Sequence, residues 1–154
     1  MIEKLLWLAE KLAQDGARSA ALKRRAVSTA YYAVFHSLAR LCADSVLVED
    51  GEIDSESEDY ERVYRALDHG PLRNAFANGA LRDNPDLKSI GDIVVPLQSE
   101  RLRSDYLPAQ SLYTSSQCRA LVRSAKVAVE LIENLHGGTR RKLIVALLFK
   151  NRPV

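Results

Sequence analysis

Arg24-Arg25-Ala26-Val27-Ser28-Thr29-Ala30-Tyr31-Tyr32-Ala33-Val34-Phe35-His36 lies inside a longer segment, 17–48, whose apolar positions decide the fold class. Val27, Tyr31, Val34, Leu38, Leu41 and Ser45 alternate steps of four and three, and Phe35, Cys42 and Val46 widen the same stripe. That rhythm places one apolar face along a long helix. On its N-terminal side, Ile2, Leu5, Leu6, Ala9, Leu12 and Ala13 repeat the helical spacing until Asp15-Gly16 supplies a stop.

On the C-terminal side the pattern stays helical. Tyr60, Val63, Tyr64 and Leu67 predict a short third helix, with His69-Gly70-Pro71 expected to terminate it. Asn78-Gly79 and Asn84-Pro85 suggest a loop, and Ile90, Ile93, Val94 and Leu97 suggest a fourth helix that Pro96 must kink or restart. Thr114-x-x-Gln117 has the form of a capping box, followed by Cys118, Leu121, Ala125, Ala128, Ile132 and Leu135 at helical steps up to Gly137-Gly138. The segment 139–152 carries an apolar run, Leu143 to Phe149, between basic ends, and is expected to form a helix docked on the bundle or on a partner. No strand pattern, internal repeat or low-complexity tract is present. The expected fold is all-α: an antiparallel four- or five-helix up-and-down bundle over 1–136, with an additional basic amphipathic helix over 137–154.

Composition narrows the class. A chain of 154 residues with 47% apolar residues fits one domain with a core of its own. No segment approaches the roughly 18 uninterrupted apolar residues of a membrane span, and the first residues carry charges at helical spacing, so neither secretion nor a membrane partner is expected. Cys42 and Cys118 stand far apart, without metal-ligand spacing and each on an apolar stripe, which suggests buried thiols and a cytoplasmic setting. The net charge of +2 is unevenly spread: Arg140, Arg141, Lys142, Lys150 and Arg152 crowd the end of the chain, and without those five the rest stands at −3. From Glu49 to Asp59 there are seven acids and no base, so any anion site must be local rather than a property of global charge.

The Arg24–His36 string resembles the second helix of small prokaryotic HEPN proteins. Further matches follow in that family's order: His69-Gly70 with Phe76, then Arg101-x-x-x-Asp105-Tyr106, then a closing helix over Ala125 to Leu135. The resemblance covers most of 1–136 and implies a helical bundle, a homodimer, and in many members a metal-independent endoribonuclease built on an Arg, four to six residues, then a His. Arg62 and His69, with six residues between them, are the matching pair in the third helix. Where active members place a polar residue directly after the Arg, this chain has Val63. Other members only bind nucleotides or partners.

Residues seven apart on one helix lie about 20° apart around its axis, so Arg62 and His69 are expected to share a face, with Arg65 beside them. Facing a second copy, such a strip provides a base for the 2′-hydroxyl of RNA, an acid for the leaving oxygen and a guanidinium to brace the phosphate. The bland alternative is a solvated Arg and a His complementing a helix C-terminus. Arg25, Thr29, Tyr32, His36 and Arg40 form a polar edge on the second helix; Tyr32 and His36 are substrate-binding candidates there, against an ordinary hydrogen-bonded pair.

The acids from Asp50 to Glu61 alternate as in a calcium loop, but Ser55 stands where the turn demands Gly and Ser57 where an apolar residue belongs. With three histidines on separate segments, no metal and no cofactor is expected. Arg101 and Asp105, four apart, suggest a structural ion pair, with Tyr106 packing or capping the helix end. The expected function is RNA or nucleotide binding at a dimer cleft, with RNA cleavage as a toxin or defence component. The alternative is a non-catalytic module whose partner is a nucleotidyltransferase-type antitoxin.

Overall fold

The computed structural model describes residues 1–108 and 111–149. Lys150 and Arg152 of the basic end lie outside them. The fold is all-α, a helix bundle in class. Its elements are α1 (Ile2–Asp15), a 3-10 turn (Gly16–Arg18), α2 (Ala20–Val46), α3 (Glu58–Tyr64), α4 (His69–Ala77), α5 (Gly79–Arg82), α6 (Pro85–Tyr106), α7 (Ser115–Glu133) and α8 (Gly137–Leu148). Among the described residues the only β pairing is a single bridge between Glu49 and Glu52, closed by reciprocal backbone bonds of 3.0 and 2.8 Å. Asp50 and Gly51 at its tip have φ of 51° and 83°, the left-handed pair that a tight turn of this kind requires. No helix among the described residues is long and apolar enough to cross a membrane.

The chain divides into two compact units, 1–36 with 92–130, and 37–91 with 131–154. In the first, Ala26, Val27, Ala30, Tyr31, Ala33 and Val34 of α2 are inaccessible to solvent. The polar residues Ser28 and Thr29 are buried beside them, so α2 is covered around its circumference and not only along one stripe. Alanine at 26, 30 and 33 leaves room for that cover. Cys118 of α7 is fully buried and its Sγ donates to the Lys23 carbonyl at 3.6 Å; burial pushes its thiol pKa up. The capping box at α7 is present in both directions: Gln117 N donates to Thr114 Oγ1 at 3.1 Å, and Thr114 N donates to Gln117 Oε1 at 2.9 Å.

In the second unit His69-Gly70-Pro71, expected to end a helix, instead begins one. Asp68 caps α4, its carboxylate accepting from His69 N at 2.8 Å. Pro71 then occupies the first turn, where its missing N–H has no intrahelical acceptor to lose, and Gly70 before it has no Cβ to clash with the proline ring. Asn78 likewise caps α5 through Ala80 N, and Asn84 caps α6 by accepting from Asp86 N and Leu87 N. The loop suggested between Asn78 and Asn84 therefore contains a short helix.

α6 runs through Pro96 without a restart. Pro96 is exposed, so the carbonyl of Asp92, four residues back, can turn to water. α8 packs on α4, and its Leu143, Ile144 and Leu147 are buried.

Phe76 of α4 lies close over Gly91 of α6. A Cβ built there meets Phe76 Cδ1 at 3.0 Å and Phe76 Cβ and Cγ at 3.3 Å. Gly91→Val is expected to destabilise the chain by about 1–3 kcal/mol through overpacking. Urea unfolding followed by circular dichroism checks it, and a midpoint equal to the parent's would mean that the Phe76 ring yields freely.

Candidate functional site

Arg62, Arg65 and His69 do not lie on one helix. α3 ends at Tyr64, with Arg65 as its C-cap, and His69 opens α4. The expectation of a shared face seven residues apart is thereby corrected; the physical cause is the Asp68 cap, which starts a new helix axis before His69 is reached. A protonated His69 would also meet the positive end of a helix dipole rather than the negative one.

Arg62 and Arg65 do come together, in an open surface hollow of 350 Å³ that Glu58, Glu61 and Ala66 also line. Arg65 Nη1 bonds Glu61 Oε1 at 3.1 Å, and both side chains are largely exposed, so the pair is weak in water. Arg62 is exposed and enters no ion pair or hydrogen bond among the described residues. Beside them, Tyr60 donates its hydroxyl to Asp44 Oδ1 at 2.6 Å; burial, then that bond, raises its pKa well above the ordinary phenol value.

Tyr32 and His36 belong to the first unit. There Arg101, 69 residues away in sequence, donates from Nη2 to the Tyr32 hydroxyl at 2.7 Å. Its guanidinium carbon lies 5.3 Å from the Tyr32 ring centre and 5.8 Å from that of Tyr31, within cation–π range. Arg101 Nε is 2.9 Å from Asp105 Oδ2, the ion pair that the four-residue spacing suggests, although the N–H is not aligned to make it a hydrogen bond. Burial works against the guanidinium charge, but the Tyr32 bond and the neighbouring Tyr32 and Asp105 charges outweigh it, so the Arg101 pKa rises. Only 13% of its side chain is exposed. Such a group is a clamp joining α2 to α6 and not an open phosphate receptor, and the Tyr32 hydroxyl is engaged by it.

His36 is half-buried, its ring 6.5 Å from that of Tyr32 and edge-on to Phe35 at 5.9 Å. Burial lowers its pKa from the ordinary 6.5 and favours the neutral imidazole.

Two arginines that the sequence names have structural roles it does not signal. Arg24 donates from Nε to the Ser104 carbonyl at 2.8 Å and from Nη2 to the Leu107 carbonyl, closing the C-terminal end of α6. That is the capping role expected of Tyr106, which instead stands 71% exposed. Tyr113 makes the inward contact, its hydroxyl 2.8 Å from Ser104 Oγ and donating to the Glu100 carbonyl at 3.0 Å, with burial foremost in pushing its pKa up to about 12. Arg140 donates from Nε to Ser45 Oγ at 3.0 Å. Only contacts across 80 and 95 residues reveal these roles, and no local pattern signals them.

The class that fold and site define is an all-α protein with a buried arginine–tyrosine clamp in one unit and an exposed arginine hollow in the other. Comparison with family models, with curated proteins and with solved structures finds no match to this chain.

Tyr32→Phe leaves the largely buried Arg101 guanidinium without its hydroxyl acceptor and is expected to cost about 1–3 kcal/mol in urea unfolding; a loss near zero would mean that the Asp105 carboxylate and the aromatic faces suffice. His36 gives a pH dependence of known sign. The unfolded imidazole gains a proton as pH falls through 6.5 while the folded one resists, so its contribution is complete above 6.5 and is lost as pH falls toward the folded value. A proton NMR titration should find the His36 midpoint below 6.5, and a midpoint above it would contradict the burial argument.

Proposed function

We propose that the chain is a HEPN-type helical protein that works as a homodimer in the cytoplasm and binds RNA or nucleotide through Arg62, Arg65 and His69. Metal-independent RNA cleavage is the chemistry proposed for that site, in a toxin or defence role. What supports the family reading is the bond between Arg101 and Tyr32: two of the segments that carry the resemblance, far apart in sequence, meet there at 2.7 Å. What supports the ligand reading is that Arg62 stays exposed and outside any ion pair among the described residues, so its planar fork is open to a phosphate. In cleavage, one imidazole takes the proton of the 2′-hydroxyl, the 2′-oxygen attacks phosphorus, the bond to the 5′-oxygen breaks, and a second imidazole from the other copy protonates that oxygen.

A second reading has its own observation. With α3 ending at Tyr64, Arg62 and His69 do not share a helix, and two glutamates line the hollow that Arg62 and Arg65 line. That arrangement favours a non-catalytic module that binds a protein partner of the nucleotidyltransferase type.

Induced expression of the parent chain beside His69→Ala and Arg62→Ala, with growth and total-RNA integrity followed and folding and abundance matched, separates the two. Growth arrest and RNA loss that vanish in both variants are the expected outcome. Intact RNA and normal growth with the parent chain would favour the partner module, and arrest that persists in both variants would remove these residues from the site.

A further inference from the structure

The end of α2 and the start of α8 border an open hollow of 530 Å³ in the second unit. The volume falls in the range of roughly 300–1,000 Å³ typical of small-molecule sites. Three of its lining residues are aliphatic, Val48, Ile53 and Ile144, and the first two are 50% and 42% exposed. Arg140 and Arg141 line it as well.

The charges of this hollow are unbalanced in a particular way. Its one lining acid, Asp44, already accepts the Tyr60 hydroxyl at 2.6 Å and pairs with Arg40 at 3.4 Å. Arg140 is held by a short relay: its Nε donates to Ser45 Oγ, and the Ser45 hydroxyl donates to the Leu41 carbonyl at 2.6 Å. Such an anchor orients the guanidinium while both of its Nη groups stay uncommitted among the described residues. Arg141 is exposed and has no ion pair or hydrogen bond among the described residues. The carboxylates of the neighbouring turn, Glu49, Asp50 and Glu52, are exposed and do not line the hollow. Solvent ions screen them over about 8 Å at physiological salt.

We propose that this hollow binds a nucleoside phosphate, with Arg140 and Arg141 on the phosphate and Val48, Ile53 and Ile144 against the base and sugar. Two guanidinium forks match the several oxygens of a phosphate dianion better than the two of a single carboxylate. The open mouth favours a base over an acyl chain: a base lays an apolar face on the aliphatic residues and keeps its polar edge hydrated, whereas a chain would leave apolar surface in water. The site uses none of Arg62, Arg65 or His69 and does not rest on the function proposed above.

Calorimetric titration of the full chain with AMP, GMP, CMP and UMP, beside adenosine and inorganic phosphate, tests it. The expected result is saturable binding of at least one nucleotide, at least about tenfold tighter than either fragment. Arg140→Gln and Arg141→Gln each weaken it about tenfold or more, and Ser45→Ala, which frees the Arg140 anchor, about threefold. Arg123→Gln, at an exposed position of α7 that does not line this hollow, leaves it unchanged. Arg141 is exposed, so its variant keeps the test sound should Arg140→Gln fail to fold. No saturable heat with any nucleotide up to about 5 mM, phosphate binding as tightly as the nucleotide, or loss in Arg123→Gln with retention in Arg141→Gln would each overturn the proposal.

Discussion

The burial of α2 from Ala26 to Val34 is the constraint from which most of the structure follows. A helix covered around its circumference cannot leave a polar group facing an apolar neighbour, so each one on it must be matched by whatever packs there. The Tyr32 hydroxyl is matched by Arg101, and the Arg101 charge in turn by Asp105 and two aromatic faces. The same helix supplies residues to both compact units, and in the second its last turns provide Asp44 to Tyr60 and Ser45 to Arg140. Alanines at 26, 30 and 33 are as much a part of this as the larger side chains, because they leave the space in which other helices can lie against it.

The fate of the arginines separates structural cations from available ones. Arg24 is spent on carbonyls at the end of α6, Arg101 on a tyrosine and a carboxylate, and Arg65 on Glu61. Arg62 and Arg141 remain exposed without partners among the described residues, and Arg140 is oriented by a single Nε bond. A net charge of +2 conceals this distribution. For an anion, the relevant quantity is the number of guanidinium forks still free to form paired hydrogen bonds, which depends on what each arginine has already met.

The cysteines show how far burial alone can be read. Both sit on apolar helical stripes in the sequence and both are buried as free thiols, with the Cys42 thiol pushed up to about 12 by desolvation. A residue on a continuous apolar stripe has few places to go but inward, so its environment follows from its position. The polar edge of α2 does not follow in that way: Thr29 is buried, Tyr32 and His36 are half-buried, and Arg25 and Arg40 are exposed, although all five recur at steps of three or four.

By itself the sequence determined the all-α class, the long second helix, the capping box at Thr114 and Gln117 and the Arg101–Asp105 pair. Each depends on interactions between residues three or four apart, which one helical turn brings together whatever the rest of the chain does. Tertiary structure decided whether Asp68-His69-Gly70-Pro71 stops a helix or starts one, because an Asp before a Pro-containing turn is compatible with both until the packing of Leu72, Ala75 and Phe76 fixes a new axis. It also decided that Arg101 meets Tyr32, Arg24 the end of α6 and Arg140 Ser45. Those partners stand 69, 80 and 95 residues apart, and only the closing of the fold brings them within hydrogen-bonding distance.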